Sequence, residues 1–211
     1  MNLLRYYSDD GQLIELDVET IASYLSDQTK KVELTNFIYE RHYRRYIKPF
    51  EYISEKKAAF ERIKKPNDEY SLLYKNGFSI MANCCLLIET LEAFYRGFTD
   101  TKNISKLAFL QFFSRDKNFI DFATDDIPTQ FYHNIRCGIL HQGETINGWS
   151  ITRESKFILD KDNKVINATK FLTQLKKSLE DYKEELVRAD WNDDIWKKTR
   201  IKLKSIIQNT K

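Results

Sequence analysis

Glycine, proline and cysteine are all scarce in this chain of 211 residues, which contains six, three and three of them. So little glycine and proline excludes collagen-like, low-complexity and loop-rich architectures. With 42% hydrophobic and 31% charged residues, the composition instead indicates a helix-rich globular protein. The length fits one main domain with a small appendage. We expect residues 1–31 to form a hairpin and a short helix packed on a helical domain of residues 32–211.

Long apolar runs and secretory features are also missing. The longest stretch without a charge, from Asn76 to Ile88, is shorter than the roughly 20 apolar residues that a membrane span needs. The N-terminus has no basic segment followed by an apolar run, so we expect no secretory signal. Cys84, Cys85 and Cys137 are odd in number and two are adjacent, unlike a disulfide framework. These features predict a cytoplasmic protein that does not enter a membrane.

The charges nearly balance, with a formal net charge of +3. This excess is too small to indicate nucleic-acid binding by itself, so any such interpretation must rest on local clusters. One cluster, formed by Arg41, Arg44 and Arg45, is interleaved with tyrosines on a predicted helix of residues 33–48. Arginines of this kind can hold phosphates while aromatic rings stack on bases. The alternative is a solvated helix face whose tyrosines lie half in the core.

Hydrophobic periodicity predicts a mainly α fold. Two β-prone runs, residues 3–7 and 12–16, flank Asp10-Gly11 and predict a small N-terminal hairpin. Apolar residues at helical spacing predict helices at residues 17–26, 33–48, 51–65, 68–98 and 103–114, from Asn167 onward, and from about Asp193 onward.

Several local features refine this prediction. Pro49 should end or kink the helix before it. The helix of residues 68–98 should be central, because it is apolar on more than one face. In the polar link that follows residue 115, Phe119, Ile120 and Phe122 should turn inward. A β-hairpin insert is expected within residues 149–166.

The segment between Pro128 and Gly143, which we call the Arg136 helix, concentrates reactive side chains. Pro128 suits the first turn of a helix and Gly143 suits a left-handed C-cap. Between them lie His133, Asn134, Arg136, Cys137 and His141. Gly138 in the helix interior costs about 1 kcal/mol relative to alanine, which predicts close approach of another backbone or of a ligand.

Three familiar chemistries find little support in this segment. A zinc site built from Cys84, Cys85, Cys137, His133 or His141 lacks the usual Cys-x-x-Cys or His-Glu-x-x-His spacing. Cys137 has histidines one turn away on both sides, but a cysteine in mid-helix is usually a packed one. No nucleophile-elbow motif supports Ser-His-Asp hydrolysis. We therefore predict no metal site and no cofactor.

Arg136 and His141 form a more promising pair. Phosphodiester cleavage needs a cation for the phosphate and a group that titrates near neutral pH. Five residues apart on a regular α-helix, the two side chains point about 140° from each other. They would therefore meet only if the helix frays at its end or a second chain contributes. The alternative is a salt bridge from Arg136 to Glu89 or Glu92, with His141 capping the helix; the two acids could instead lie on an exposed strip.

The motif Arg136-Cys-Gly-Ile-Leu-His141 resembles the Arg, four to six residues, His signature of HEPN domains. An upstream helix with embedded acids, here residues 84–94, precedes the signature helix in a similar way. The resemblance covers roughly residues 72–182. It implies an up-and-down helical bundle of a kind common in prokaryotic toxin–antitoxin systems, phage defence and RNA processing.

The resemblance also implies a function. Active members are metal-independent endoribonucleases that cleave RNA at a homodimer cleft. Arg136 would contact the phosphate, and His141 would be the general acid or base in an attack by the ribose 2′-hydroxyl. Substrate-binding or supporting roles would fall to Glu89, Glu92, His133, Asn134 and the Arg41, Arg44 and Arg45 cluster. An antitoxin or sensor protein would be a natural partner.

One departure from the family pattern leaves a second function open. The residue after the family's arginine is usually polar, whereas here it is Cys137. Family members with imperfect motifs often serve as non-catalytic modules. The alternative is therefore a HEPN-like module that binds RNA, a nucleotide or a protein partner through the same cleft.

Overall fold

A computed structural model of the chain describes residues 1–51 and 76–210. Its strands are β1 (Asn2–Tyr7), β2 (Leu13–Asp17), β3 (Ser150–Thr152), β4 (Leu159–Asp160) and β5 (Val165–Asn167). Its α-helices are α1 (Val18–Tyr24), α2 (Lys31–His42), α3 (Gly77–Arg96), α4 (Ser105–Arg115), α5 (Ile127–Gln130), α6 (Gly138–Gln142), α7 (Ala168–Arg188) and α8 (Asp194–Gln208). The described part is thus mainly helical with two small sheets, as the sequence predicts.

The N-terminal hairpin forms where the sequence predicts it. β1 and β2 pair antiparallel, and Gly11 in the turn takes a φ of 82°, a conformation that costs glycine least. Asp17 then caps α1 by accepting a hydrogen bond from the Thr20 backbone N–H at 2.8 Å. Leu3, Val18 and Ile21 are buried in the main core. Residues 1–31 therefore pack against the helices rather than standing apart.

Of the two outcomes predicted at Pro49, an end or a kink, the helix does not end there. A π-helical turn, Tyr43–Ile47, follows α2 directly, and helical backbone continues from residue 48 to residue 51. A wider turn before a proline relieves the ring clash and the lost hydrogen bond that would otherwise break the helix. The predicted helix of residues 51–65 lies almost entirely outside the described residues.

Helix α3 lies at the centre of the described core, as expected, but begins at Gly77 rather than at residue 68. Asn76 is not helical, and residues 68–75 lie outside the described residues. Gly97 ends the helix in the left-handed conformation, with a φ of 71°. Helix α3 is long and apolar enough to cross a membrane, but 56% of its apolar window is buried inside the protein. A core helix packed inside a protein has the same length and composition.

An aromatic cluster forms the core beneath the Arg136 helix. Its members are buried phenylalanines whose rings contact one another: Phe109, Phe112, Phe113, Phe119, Phe122, Phe131 and Phe171. Stacked and edge-to-face ring pairs are favourable beyond the area they bury. Ile120, which the sequence predicts to turn inward with Phe119 and Phe122, is instead 67% exposed, because it lies on the outer side of a 3₁₀ segment, Lys117–Phe122.

The last third of the chain closes the core. A hairpin forms between β4 and β5 as predicted, and β3 adds to it in parallel, giving the strand order β3-β5-β4. Asn167 caps α7 by accepting a hydrogen bond from the Lys170 backbone N–H at 3.0 Å. Helix α7 packs against α2 and α3, and α8 packs against α3.

Candidate functional site at the Arg136 helix

The Arg136 helix consists of three consecutive segments. Helix α5 leads into a π-helical turn, Phe131–Cys137, which leads into α6. Phe131 anchors the start of the π turn, because its ring stacks on Phe171 with centroids 5.4 Å apart. π-helical turns inside α-helices often occur at functional sites.

The loop after Gly143 folds back onto the helix. Gly143 ends α6 with a φ of 73°. A Cβ added at Gly138 would lie 2.4 Å from the Glu144 carbonyl oxygen, so only glycine fits there. The predicted close approach at Gly138 is therefore confirmed, and the approaching group is backbone.

Asn134 holds the far part of the same loop. Its side-chain oxygen accepts a hydrogen bond from Asn147 Nδ2 at 2.8 Å, and its backbone carbonyl accepts one from the Ile146 N–H at 3.1 Å. The Asn134 side chain is buried. Its contacts support the loop after α6.

Arg136 is anchored by Glu89 of α3. Its Nε and Nη2 both donate to Glu89 Oε1, at 3.0 Å and 2.9 Å. Ser105 donates to the same oxygen at 2.7 Å, and Thr101 donates to Oε2 at 2.9 Å. The Arg136 guanidinium also lies over the Tyr132 ring, 5.5 Å from its centroid. These contacts hold the guanidinium in one orientation.

Arg136 and His141 meet within a single chain. The distance from Arg136 Nη1 to His141 Nε2 is 3.1 Å, and His141 is exposed. The expectation that the pair would meet only at a frayed helix end or across two chains assumed a regular α-helix. Arg136 lies near the end of the π turn and His141 lies in α6. The long Arg136 side chain spans the distance between them and reaches the imidazole within one subunit.

This contact requires a particular tautomer of His141. Arginine has only donor groups, so a hydrogen bond between the two requires a lone pair on His141 Nε2. The neutral imidazole must then carry its proton on Nδ1. His141 is held with its Nε2 ready to accept a proton if Arg136 turns to another ligand.

Arg136 stays charged in this environment. Burial by itself lowers the pKa of Arg136, but the charge and hydrogen bonds of Glu89 outweigh burial, and the pKa is raised overall. The guanidinium thus contacts Glu89, His141 and the Cys137 side chain. The arrangement thus offers fixed cationic donors beside an exposed imidazole, which suits an anionic ligand.

Other predicted site residues lie elsewhere or serve other contacts. Glu92 is fully buried and pairs with Arg96 and Arg115, so it is neither a partner of Arg136 nor part of an exposed strip. His133 is exposed, and its ring meets Tyr132 edge to face at 5.2 Å.

The Arg41, Arg44 and Arg45 cluster faces the N-terminal hairpin. Arg41 and Arg45 both donate to the Leu3 carbonyl oxygen. Arg44 pairs with Glu40 at 2.7 Å and lies over the Tyr6 ring, 3.6 Å from its centroid. Burial lowers the pKa of Arg41 to about 10. The structure does not bring this cluster into contact with Arg136 or His141, and its contacts resemble the alternative interpretation of a helix face packed on the protein.

The cysteines contribute no reactive group to the described site. Cys84 and Cys85 are buried, and burial raises the pKa of both thiols. Cys137 is half-buried beside the Arg136 guanidinium. Among the described residues, no group of three or more His, Cys, Asp or Glu side chains is arranged to hold a metal ion.

Sequence reasoning missed Thr101, Ser105 and Tyr132 as members of the site. Tyr132 could have been found, because it lies four residues before Arg136, where helical side chains meet. Thr101 and Ser105 carry no such signal, since only the packing of α4 on α3 brings them to Glu89.

No protein-family model, no curated protein and no solved structure matches the chain. The interpretation of the site rests on its own residues and their geometry.

Proposed function

We propose that the chain is a HEPN-like, metal-independent endoribonuclease that acts as a homodimer in the cytoplasm, in a toxin–antitoxin or phage-defence role with an antitoxin or sensor partner. The observation that carries the proposal is the 3.1 Å contact between Arg136 Nη1 and His141 Nε2. It joins a phosphate-binding cation to a proton acceptor at the exposed end of a helix. The Arg-x4-His spacing of the motif supports the same family.

The proposed reaction uses both side chains. A phosphate oxygen takes the N–H of Arg136 that now faces His141, which frees the Nε2 lone pair. His141 removes the proton of the ribose 2′-hydroxyl, and the 2′-oxygen attacks the adjacent phosphorus. The 5′-oxygen leaves with a proton from a second His141, that of the partner subunit, which starts protonated and ends neutral, while the first His141 ends protonated. The products carry a 2′,3′-cyclic phosphate and a 5′-hydroxyl.

Labelled RNA incubated with the purified protein in EDTA tests this proposal. We expect cleavage that falls at least about 100-fold in Arg136→Ala and in His141→Ala, the scale of general acid–base catalysis. Gln142→Ala is the matched control, since Gln142 is an exposed neighbour of His141. Unchanged cleavage in the Arg136 and His141 variants would contradict the proposal, and so would cleavage that requires a metal ion.

A second candidate is a non-catalytic HEPN-like module that binds RNA, a nucleotide or a protein partner through the same surface. The contacts of Arg136 favour it, because Glu89 already neutralises the guanidinium and the next residue is Cys137. Binding of intact RNA that weakens steeply with salt, without cleavage, would select this function. Light scattering that shows only monomers would count against a dimer cleft.

A further inference from the structure

A separate surface cleft of about 560 Å³ lies at the C-terminal end of α3. It is bounded by the ends of α3 and α4, the second half of α7 and the first turns of α8. Sites for small ligands typically measure about 300–1,000 Å³, so the cleft has a suitable size. Its lining includes five cationic side chains, three carboxylates and Tyr95. None of the residues of the Arg136 site lines it.

Two of the arginines in the cleft share one buried carboxylate. Arg96 Nε donates to Glu92 Oε1 at 2.7 Å, and Arg115 Nη2 donates to Glu92 Oε2 at 3.0 Å. Glu92 is fully buried, whereas the two arginine side chains are 36% and 26% exposed. Basic residues at helix ends are common because they interact with the helix dipole. A shared buried carboxylate goes further, because it fixes both guanidinium groups side by side.

Several terminal nitrogens of these two guanidinium groups can still donate hydrogen bonds to a ligand. Both terminal nitrogens of Arg96 and the Nη1 of Arg115 have no partner among the described residues. Arg115 is further held in place over the Tyr95 ring, 3.5 Å from its centroid. Paired, pre-oriented guanidinium groups match the oxygens of a phosphate, and less conformational freedom is lost when they bind.

The carboxylates of the cleft are already engaged. Asp181 pairs with Lys117 at 3.2 Å and accepts a hydrogen bond from Asn118 Nδ2 at 2.8 Å. Asp116 accepts one from the Asn118 backbone N–H at 3.0 Å. Glu185 accepts one from the Tyr95 hydroxyl at 3.1 Å. Each carboxylate of the cleft thus has at least one partner, and the terminal nitrogens of Arg96 and Arg115 provide donors beside them.

We propose that this cleft binds a small phosphorylated molecule, whose phosphate contacts the terminal nitrogens of Arg96 and Arg115. The cleft then acts as a second site, separate from the Arg136 helix and independent of the function proposed for it. Helix α3 connects the two, because Glu89 and Glu92 lie on it three positions apart.

Calorimetric titration of the full chain with pyrophosphate and with AMP, at constant ionic strength, tests the proposal. We expect saturable binding of at least one probe, weakened at least tenfold by Arg96→Gln and by Arg115→Gln. Glutamine at these positions keeps a donor for Glu92 but removes the charge. Arg5→Gln is the control, since Arg5 pairs with Glu15 at 3.0 Å in the hairpin, away from the cleft. Circular dichroism verifies that each variant is folded.

The outcomes separate clearly. Binding that disappears in both cleft variants but persists in Arg5→Gln supports the site. Binding of neither probe overturns it, as does binding that survives Arg96→Gln and Arg115→Gln in folded protein. A 5′-phosphorylated oligonucleotide that binds where pyrophosphate and AMP do not would overturn the small-ligand proposal in favour of nucleic acid.

Discussion

Two glutamates on one helix, three positions apart, have different roles in this protein. Glu89 lies at the edge of α3 with 14% of its side chain exposed, and the arginine it holds extends to the exposed His141. Glu92 lies on the buried face and holds two arginines that reach outward. The same acid–arginine pairing therefore supports the candidate reactive site at Glu89 and the arginine-lined cleft at Glu92. The two sites differ in what the arginine contacts besides its glutamate: Arg136 contacts His141, whereas Arg96 and Arg115 line the cleft.

Replacing each glutamate by alanine should give the largest difference in stability between the two sites. Glu92→Ala leaves two arginines without their shared buried partner, so we expect the free energy of unfolding to fall by about 3 kcal/mol. Glu89→Ala should cost about 1 kcal/mol, since Arg136 can turn to water or to His141. Urea denaturation followed by circular dichroism measures both. Equal losses would show that burial does not distinguish the two glutamates.

Acidic pH should lower the stability of the protein through His42, which lies at the end of α2 and packs on α3. This histidine donates from Nδ1 to the Ile38 carbonyl at 2.6 Å and packs edge to face on Phe94 of α3. Burial lowers the pKa of His42 to about 3. Between that value and an unfolded pKa of about 6.5, the unfolded chain binds one more proton, so stability falls by about 1.4 kcal/mol per pH unit as the pH drops.

The measurement compares the original chain with His42→Phe, which cannot titrate at this position. Unfolding free energies at several pH values should show a difference between the two chains that is constant above about pH 7 and changes below about pH 6.5, in favour of the variant as acidity rises. A difference that does not depend on pH would mean that His42 is not buried in the neutral form.

In the Arg136 helix, the close backbone contact at Gly138 should contribute more to stability than any exposed side chain. Gly138→Ala places a methyl group 2.4 Å from the Glu144 carbonyl oxygen, so the loop must move, at a cost of about 2 kcal/mol. Gly143→Ala is the matched control, because nothing lies within 4 Å of its Cβ position. It should cost only about 1 kcal/mol for its left-handed backbone. Thermal unfolding measures both, and a reversed order would contradict the close contact between Gly138 and the loop.

The smallest expected effect on stability is that of His141→Ala. His141 is exposed, so its loss should change the free energy of unfolding by less than about 0.5 kcal/mol. A loss much smaller than that of Glu92→Ala would show that His141 contributes little to the stability of the fold. A loss above about 1 kcal/mol would instead point to the structural role in which Arg136 and His141 only hold the helix end.

Much of the fold could be predicted because its signals are local. Asn167 caps α7, Gly97 and Gly143 end their helices with positive φ, and the hairpin forms around Gly11. Each of these depends on a few neighbouring residues, and therefore leaves a pattern in the sequence.

The incorrect predictions depend on contacts between distant segments or on deviations from regular helix geometry. Glu92 looked equivalent to Glu89 in sequence, but the packing of α4 places Arg115 against it. A π turn precedes Pro49, where the helix continues, and another π turn contains Arg136, whose side chain reaches His141. A π turn changes the angular position of every later side chain, and hydrophobic periodicity and capping residues do not predict it.

The sequence by itself determined that the chain is mainly helical and where several helices begin and end, and it proposed Arg136 and His141 as candidate site residues. Periodicity and caps act over a few residues, so they can be read directly from the chain. Only the tertiary structure decided which glutamate holds Arg136 and that Arg136 and His141 touch within one subunit. Those outcomes depend on how α3, α4 and the π turn pack, and packing brings together residues that the chain keeps far apart.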